Sequence, residues 1–288
     1  MTDSGYTLIT GASGFIGGAL AQKLAAGRKV ICLSRKQPAE GLEYVQGEFH
    51  CVEDLQKLND YDISCVVHLA AATGGCSEED GLTVNVLGTQ RLLRYAIDRG
   101  CRKFVMASSI AAVGGLSDLF VPMQLPIPDE HPCLARDAYG FSKAMMEEVT
   151  RYFQRITPDA DFINLRLGAV AGTPPTVFSA DNSPAGIPFV ILGHVMLDDV
   201  LRAFDAAIKA EVQPGVRVFN VVGMDTNCSD PVPDVLRAAL GGRIDEVDLS
   251  WYDTPGHEYD PIYSMDSIRQ GLGFVSQISI RGDRGSSV

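Results

Sequence analysis

The stretch Thr10-Gly-Ala-Ser-Gly-Phe-Ile-Gly17 restricts this chain more than any other, because it follows a short apolar run and precedes an amphipathic one. That order describes a strand, a tight turn and a helix start. Gly11, Gly14 and Gly17 let the backbone turn sharply, approach an anion closely and seat the helix against the strand. Such a bend suits a dinucleotide pyrophosphate at the helix N-terminus. The G-x-x-G-x-x-G spacing departs from the commoner G-x-G-x-x-G, so the glycines alone do not decide the matter.

The rest of the chain continues the pattern. Mostly continuous apolar runs over 6–10, 30–34, 42–46, 65–69, 103–107, 162–167 and 217–222 read as strands covered on both faces. Segments 15–26, 84–97, 138–155 and 197–210 carry helical spacing between them. The alternation predicts an α/β fold, a Rossmann-type doubly wound parallel sheet with a small C-terminal substrate-binding subdomain. That subdomain is expected where Pro174, Pro175, Pro184 and Pro188 break the rhythm and again over 225–261. The expected division is a dinucleotide-binding core over 1–172, a mostly substrate-binding part over 173–280 and a disordered tail over 281–288. The helix near 197–210 and the strand near 217–222 return to the core.

At 288 residues, with 46% hydrophobic and 21% charged, the chain can bury a full core. A formal net charge of −12 argues against nucleic acid and membrane surfaces as partners, so an anionic ligand must be held by local donors. No run approaches the roughly 18 apolar residues that cross a bilayer, and a first strand from Tyr6 leaves no room for a signal peptide. A cytoplasmic protein is expected. The seven cysteines form no C-x-x-C pair and read as reduced thiols. His131, His194 and His257 lack metal-ligand spacing, so no metal is expected.

Tyr139 and Lys143 stand four apart on a predicted helix and project from one face. An ammonium near a phenol favours the phenolate, so a lowered Tyr139 pKa is expected, fitting it for proton transfer at neutral pH. Ser109, just past the 103–107 strand, can bond the same substrate oxygen. The implied reaction couples hydride transfer to proton transfer at a carbon–oxygen bond. His68 reads as a backbone-bonded structural histidine, and Glu78, Glu79 and Asp80 as a solvated helix start.

On these residues the chain resembles the extended short-chain dehydrogenase/reductase family, also called the NAD-dependent epimerase/dehydratase family. Thr10 to Gly17, His68-Leu-Ala-Ala71, Asn85 with Gly88-Thr89, Ser108-Ser109, Tyr139 with Lys143, Arg166 and Asp198-Asp199 match its pattern. The resemblance runs to about Leu272. It implies a bound nicotinamide dinucleotide and catalytic Ser109, Tyr139 and Lys143, leaving open whether Ser109 or a neighbour fills the serine's place. It also implies that Gly11, Ser13, Gly14, Phe15, Ile16 and Gly17 meet the pyrophosphate, Glu48 and Phe49 the adenine, and Ala70 and Ala71 the ribose region. Gly168 and Val170 would face the nicotinamide. Leu69, Asn85, Ala107, Tyr139 and Lys143 complete the cofactor-binding set.

The second strand ends in Ser34-Arg35-Lys36, without an acidic residue for a ribose 2′-hydroxyl. Arg35 and Lys36 suit a 2′-phosphate, which favours NADP over NAD. Ile110 and Ala111 stand where dehydratases of the family carry an acidic pair. Residues 191–194 lack the Arg-Asp with which its epimerases hold a sugar-nucleotide diphosphate. The sequence therefore points to an NAD(P)-dependent oxidoreductase acting on a small sugar, sugar acid or ketone. A nucleotide-sugar epimerase with a tightly held cofactor is the alternative. The resemblance also implies a homodimer formed through the helices at 84–97 and 138–155.

Overall fold

Alternate residues of the central strands go to opposite helix layers. The computed structural model describes residues 5–281. Seven parallel strands form one sheet in the order β3-β2-β1-β4-β5-β6-β9. They are β1 (Tyr6–Thr10), β2 (Val30–Ser34), β3 (Tyr44–Gln46), β4 (Ile63–His68), β5 (Lys103–Ser109), β6 (Asp161–Leu167) and β9 (Gly215–Val221). A separate two-stranded parallel sheet pairs β7 (Ala169–Ala171) with β8 (His194–Met196). The helices are α1 (Phe15–Ala25), α2 (Val52–Gln56), α3 (Glu78–Asp80), α4 (Gly88–Asp98), α5 (Ala138–Ile156), α6 (Pro188–Ile191), α7 (Leu197–Lys209), α8 (Val232–Leu240) and α9 (Asp266–Leu272).

Ile9, Cys32, Val67 and Val105 pack with Leu20 and Leu24 of α1 and Phe204 of α7 on one face. Leu8, Ile31, Val66 and Phe104 pack with Leu92 and Ala96 of α4 and Phe153 of α5 on the other. Period-two alternation in strands apolar throughout thus feeds two cores, and the doubly wound arrangement follows. Strands end differently from the sequence expectation: β5 runs on to Ser109, and β4 stops at His68. The helix expected over 84–97 starts earlier, with a wide-turned segment, Gly81–Leu87, leading into α4.

A third apolar cluster, including Phe189, Val232, Val235, Leu236, Tyr252 and Tyr263, lies under the C-terminal part and also draws in Ile110, Val113, Phe120, Leu125 and Ile127. Two carboxylates tie this part to the core. Asp129 Oδ1 accepts from Asn220 N at 2.5 Å. Fully buried Asp199 accepts from the N–H groups of Gln277 (3.1 Å) and Ile278 (3.2 Å) and pairs with Arg202. Of the expected tail, Arg281 is held, its Nε donating to Cys228 O at 3.0 Å and its guanidinium over the Tyr259 ring; residues 282–288 lie outside the described ones. No described helix is long and apolar enough to cross a membrane.

Candidate active site

The glycine bend is fixed by close approach. Gly11 has φ +76°, and a Cβ there would sit 2.7 Å from Ala70 N. A Cβ on Gly17 would overlap the Gly11 carbonyl oxygen. α1 begins at Gly14 with no side-chain cap and no acidic residue in its first turn, so its N–H groups and positive end are left for an anion. The neighbouring end of β4 is held from behind. Thr10 Oγ1 accepts from Leu69 N and Ala70 N (both 3.2 Å), which fills its lone pairs, so its proton goes to His68 Nδ1 at 2.7 Å. His68 is therefore the Nε2–H tautomer, donating to Thr89 Oγ1 at 3.0 Å. Burial lowers its pKa to about 3. His68 is structural, but threonine hydroxyls, not backbone groups, bind its ring.

A cleft of about 590 Å³ opens over the C-terminal ends of the strands. It is lined by Gly11, Ser13, Gly14, Phe15, Ile16, Gly17, Arg35, Glu48, Phe49, Leu69, Ala70, Ala71, Ala107, Ser109, Tyr139, Lys143, Gly168 and Val170. Two expected residues do not line it. Lys36 is exposed beyond the end of β2. Asn85 is fully buried one layer back, where Oδ1 accepts from Ala72 N (2.7 Å) and Nδ2 donates to Ala72 O and Ser142 Oγ (both 2.9 Å). It braces the loop that forms the cleft wall. His50 and Asp80, which the motifs did not single out for the cleft, line it as well. His50 Nε2 lies 3.1 Å from Glu48 Oε2, and Asp80 N is capped by Ser77 Oγ at 3.0 Å.

The three side chains expected to be catalytic, Ser109, Tyr139 and Lys143, converge at the far end. α5 is capped by Asp137, whose Oδ1 accepts from Gly140 N at 2.8 Å, and this sets the helix start one residue before Tyr139. Lys143 Nζ donates to Ala107 O at 2.8 Å and lies 5.6 Å from the centre of the Tyr139 ring. The candidate serines take different directions: Ser108 Oγ turns away to donate to Glu147 Oε1 at 2.7 Å, Ser109 hydrogen-bonds the Tyr139 side chain, and Ile110 is buried in the third apolar cluster.

Electrostatics depart from the expectation for Tyr139. Burial raises its pKa, and the Ser109 hydrogen bond only partly opposes this. The desolvation that lifts the phenol also acts on the ammonium: burial lowers Lys143 to about 8, against the upward pull of Glu147.

The model of the NAD dependent epimerase/dehydratase family matches residues 7–222. UDP-glucose 4-epimerase 2 of Arabidopsis thaliana is 27% identical over 239 residues, covering 74% of this chain and 66% of its own. A putative UDP-glucose 4-epimerase of Methanocaldococcus jannaschii is 29% identical over 160 residues, covering 52% and 51%. The chain thus spans about half to two thirds of the length of these curated relatives. Among solved structures, a short-chain dehydrogenase/reductase superfamily protein from Agrobacterium tumefaciens with bound NAD superposes with TM-score 0.70 at 21% identity, covering 96% of this chain and 94% of that one. The UDP-glucose 4-epimerase of Thermotoga maritima with UDP-glucose gives TM-score 0.68 at 20% identity, covering 96% of both. At such identities the structural likeness establishes the Rossmann-like fold.

Proposed function

The chain belongs to the NAD-dependent epimerase/dehydratase family, and from that premise we propose that it is an NAD(P)-dependent oxidoreductase. It moves hydride to or from a hydroxyl or carbonyl carbon of a small sugar, sugar acid or ketone. The observation that carries this reading is the meeting of Ser109, Tyr139 and Lys143 at one end of the cleft that the glycine bend opens at the other.

The bend fits a dinucleotide: the places where a Cβ would clash at Gly11 and Gly17 leave bare backbone, and the uncapped α1 N-terminus offers N–H donors to a pyrophosphate. When bound, the nicotinamide accepts or supplies the hydride. The chain's own residues handle the proton. Burial keeps Tyr139 a neutral phenol, ready to donate to a carbonyl oxygen in reduction. In oxidation its proton must leave, and the Ser109 hydroxyl and the Lys143 ammonium both favour the resulting phenolate. Ser109 also positions the substrate oxygen against Tyr139.

Charge supports a small substrate. Arg35 and Lys143 are the only arginine or lysine among the described residues lining the cleft, the first at the adenine end and the second buried and bonded to Ala107 O. A nucleotide-sugar diphosphate would find little cationic support beside Tyr139. Arg35 also favours NADP, since it lines the cleft where a 2′-phosphate would lie, and Lys36 adds nothing there. The structures named above carry NAD or UDP-glucose.

A second reading, an epimerase that returns hydride to the opposite face, draws on the UDP-glucose 4-epimerases among the relatives. A screen of sugars, sugar acids and ketones read by nicotinamide absorbance separates the two. Net cofactor reduction or oxidation supports the oxidoreductase; conversion of a nucleotide sugar without net change supports the epimerase and overturns it. A homodimer is also proposed, because Leu82 and Leu87 on the segment leading into α4, and Phe141 and Tyr152 on α5, are exposed. A monomeric mass by light scattering would defeat it.

A further inference from the structure

Tyr139, Lys143 and Glu147 recur at every fourth position of α5, so they stand one above another on a single helix face. The last three residues of β5 meet that face one by one. Ser109 bonds Tyr139, Ala107 O accepts from Lys143 Nζ at 2.8 Å, and Ser108 Oγ donates to Glu147 Oε1 at 2.7 Å. The first two rungs belong to the reacting end of the cleft. The third is buried: Ser108 lines the cleft, but its hydroxyl turns away to Glu147, which does not.

We propose that Glu147 is a positioning residue for the Tyr139–Lys143 pair, its carboxylate locking the end of β5 to α5 and keeping the Lys143 ammonium charged beneath the substrate. The inference rests on the reading above, in which Tyr139 and Lys143 act on substrate. Glu147 itself is held rigidly. Arg166 of β6 grips both of its oxygens, Nε to Oε1 and Nη2 to Oε2, each at 2.8 Å, and Arg151 approaches Oε2 at 3.8 Å. Arg166 is anchored in turn by its Nη1 bond to Asp129 O at 2.9 Å.

The groups facing Lys143 show why this carboxylate matters. Tyr139 and Glu147 come from α5, Cys76 from the loop after β4, and His68 from β4, while Arg166 reaches it only through Glu147. His68 is neutral, and the Tyr139 phenol is held in its neutral form by burial. Glu147 is the one carboxylate among them. Burial works to strip the proton from Lys143, and Glu147 opposes it.

The test reads Lys143 directly, by nuclear magnetic resonance titration of the full chain with lysine labelled at Cε, the resonance assigned by its loss in Lys143→Met. In Glu147→Gln the Lys143 midpoint is expected to fall by about 1 pH unit or more, the size of effect a nearby opposite charge exerts. Glu147→Asp is expected to keep it near the wild-type value. Should Glu147→Gln fail to fold, the double variant Glu147→Leu/Arg166→Met replaces the buried ion pair by apolar side chains, a change proteins often tolerate, and a smaller fall is expected because the Arg166 charge leaves with the carboxylate. An unchanged midpoint in either folded variant overturns the proposal. If the midpoint falls but no sugar, sugar acid or ketone changes nicotinamide absorbance, Glu147 keeps its role and the oxidoreductase reading is the one that fails.

Discussion

The two ends of the cleft are built on opposite electrostatic terms. At the adenine end, Arg35 is exposed, and the Glu48–His50 contact is partly open to water, where polar contacts are screened and contribute little. At the reacting end, Lys143 is almost fully buried, and it and Ser108 are bonded to named partners, as is Glu147. There each charge is felt strongly because water does not screen it. One end admits a ligand with little reorganisation, and the other is organised before any ligand arrives.

This contrast can be broken by substitution. Tyr139→Phe is expected to have the largest effect, lowering turnover by about 10²–10⁴-fold while leaving cofactor affinity near wild type, as measured by steady-state kinetics and calorimetry. Gly17→Ala forces the Gly11 carbonyl to move and should cost about 1–3 kcal/mol of stability together with most cofactor-induced thermal stabilisation.

The strand end behind the cleft gives a pH test. Folding lowers the His68 pKa from 6.5 to about 3, so between those values the unfolded chain holds a proton that the folded one lacks. The stability associated with His68 is present above pH 6.5 and is lost as pH falls towards 3, by about 1.4 kcal/mol per pH unit. His68→Gln, which can still accept from Thr10 and donate to Thr89, should flatten that acid slope in denaturant titrations.

Smaller effects belong to the adenine end. Arg35→Ala should weaken NADP binding about tenfold and NAD binding little, the loss of one charge-assisted contact. His50→Gln should shift cofactor affinity by less than about 1 kcal/mol, the range of a solvent-exposed polar contact. If Arg35→Ala or His50→Gln outweighed Tyr139→Phe in free energy, the contrast between the ends would be wrong.

What the sequence made legible was local. The glycine spacing, the four-residue step from Tyr139 to Lys143 and the apolar strand runs each encode geometry within a few residues, and the parallel sheet follows from them. The rest depended on contacts that spacing does not carry. The partners of His68 are 58 and 21 residues away in the chain, although Thr10 and Thr89 both stood inside recognised motifs. The choice between Ser108 and Ser109 needed the direction each side chain takes at a strand end, and Asn85 matched a motif while bracing a loop behind the cleft. Tyr139 went the other way from expectation because an ammonium can be read from spacing and burial cannot. Glu147 matched no motif, since its partners Ser108 and Arg166 lie on β5 and β6, away from it in the chain. The C-terminal part was readable only as broken rhythm, because β7 pairs with β8 across more than one intervening loop and its apolar cluster reaches back to residue 110.

Asp199 carries a practical corollary. Its carboxylate sits in the floor of α7 and is met by the amides of Gln277 and Ile278, well past Leu272, where α9 finishes. A protein shortened to the end of that helix would strand an ionised group in the interior with its amide donors removed, so engineers trimming this chain should expect the damage to surface in the central layers, far from the cut.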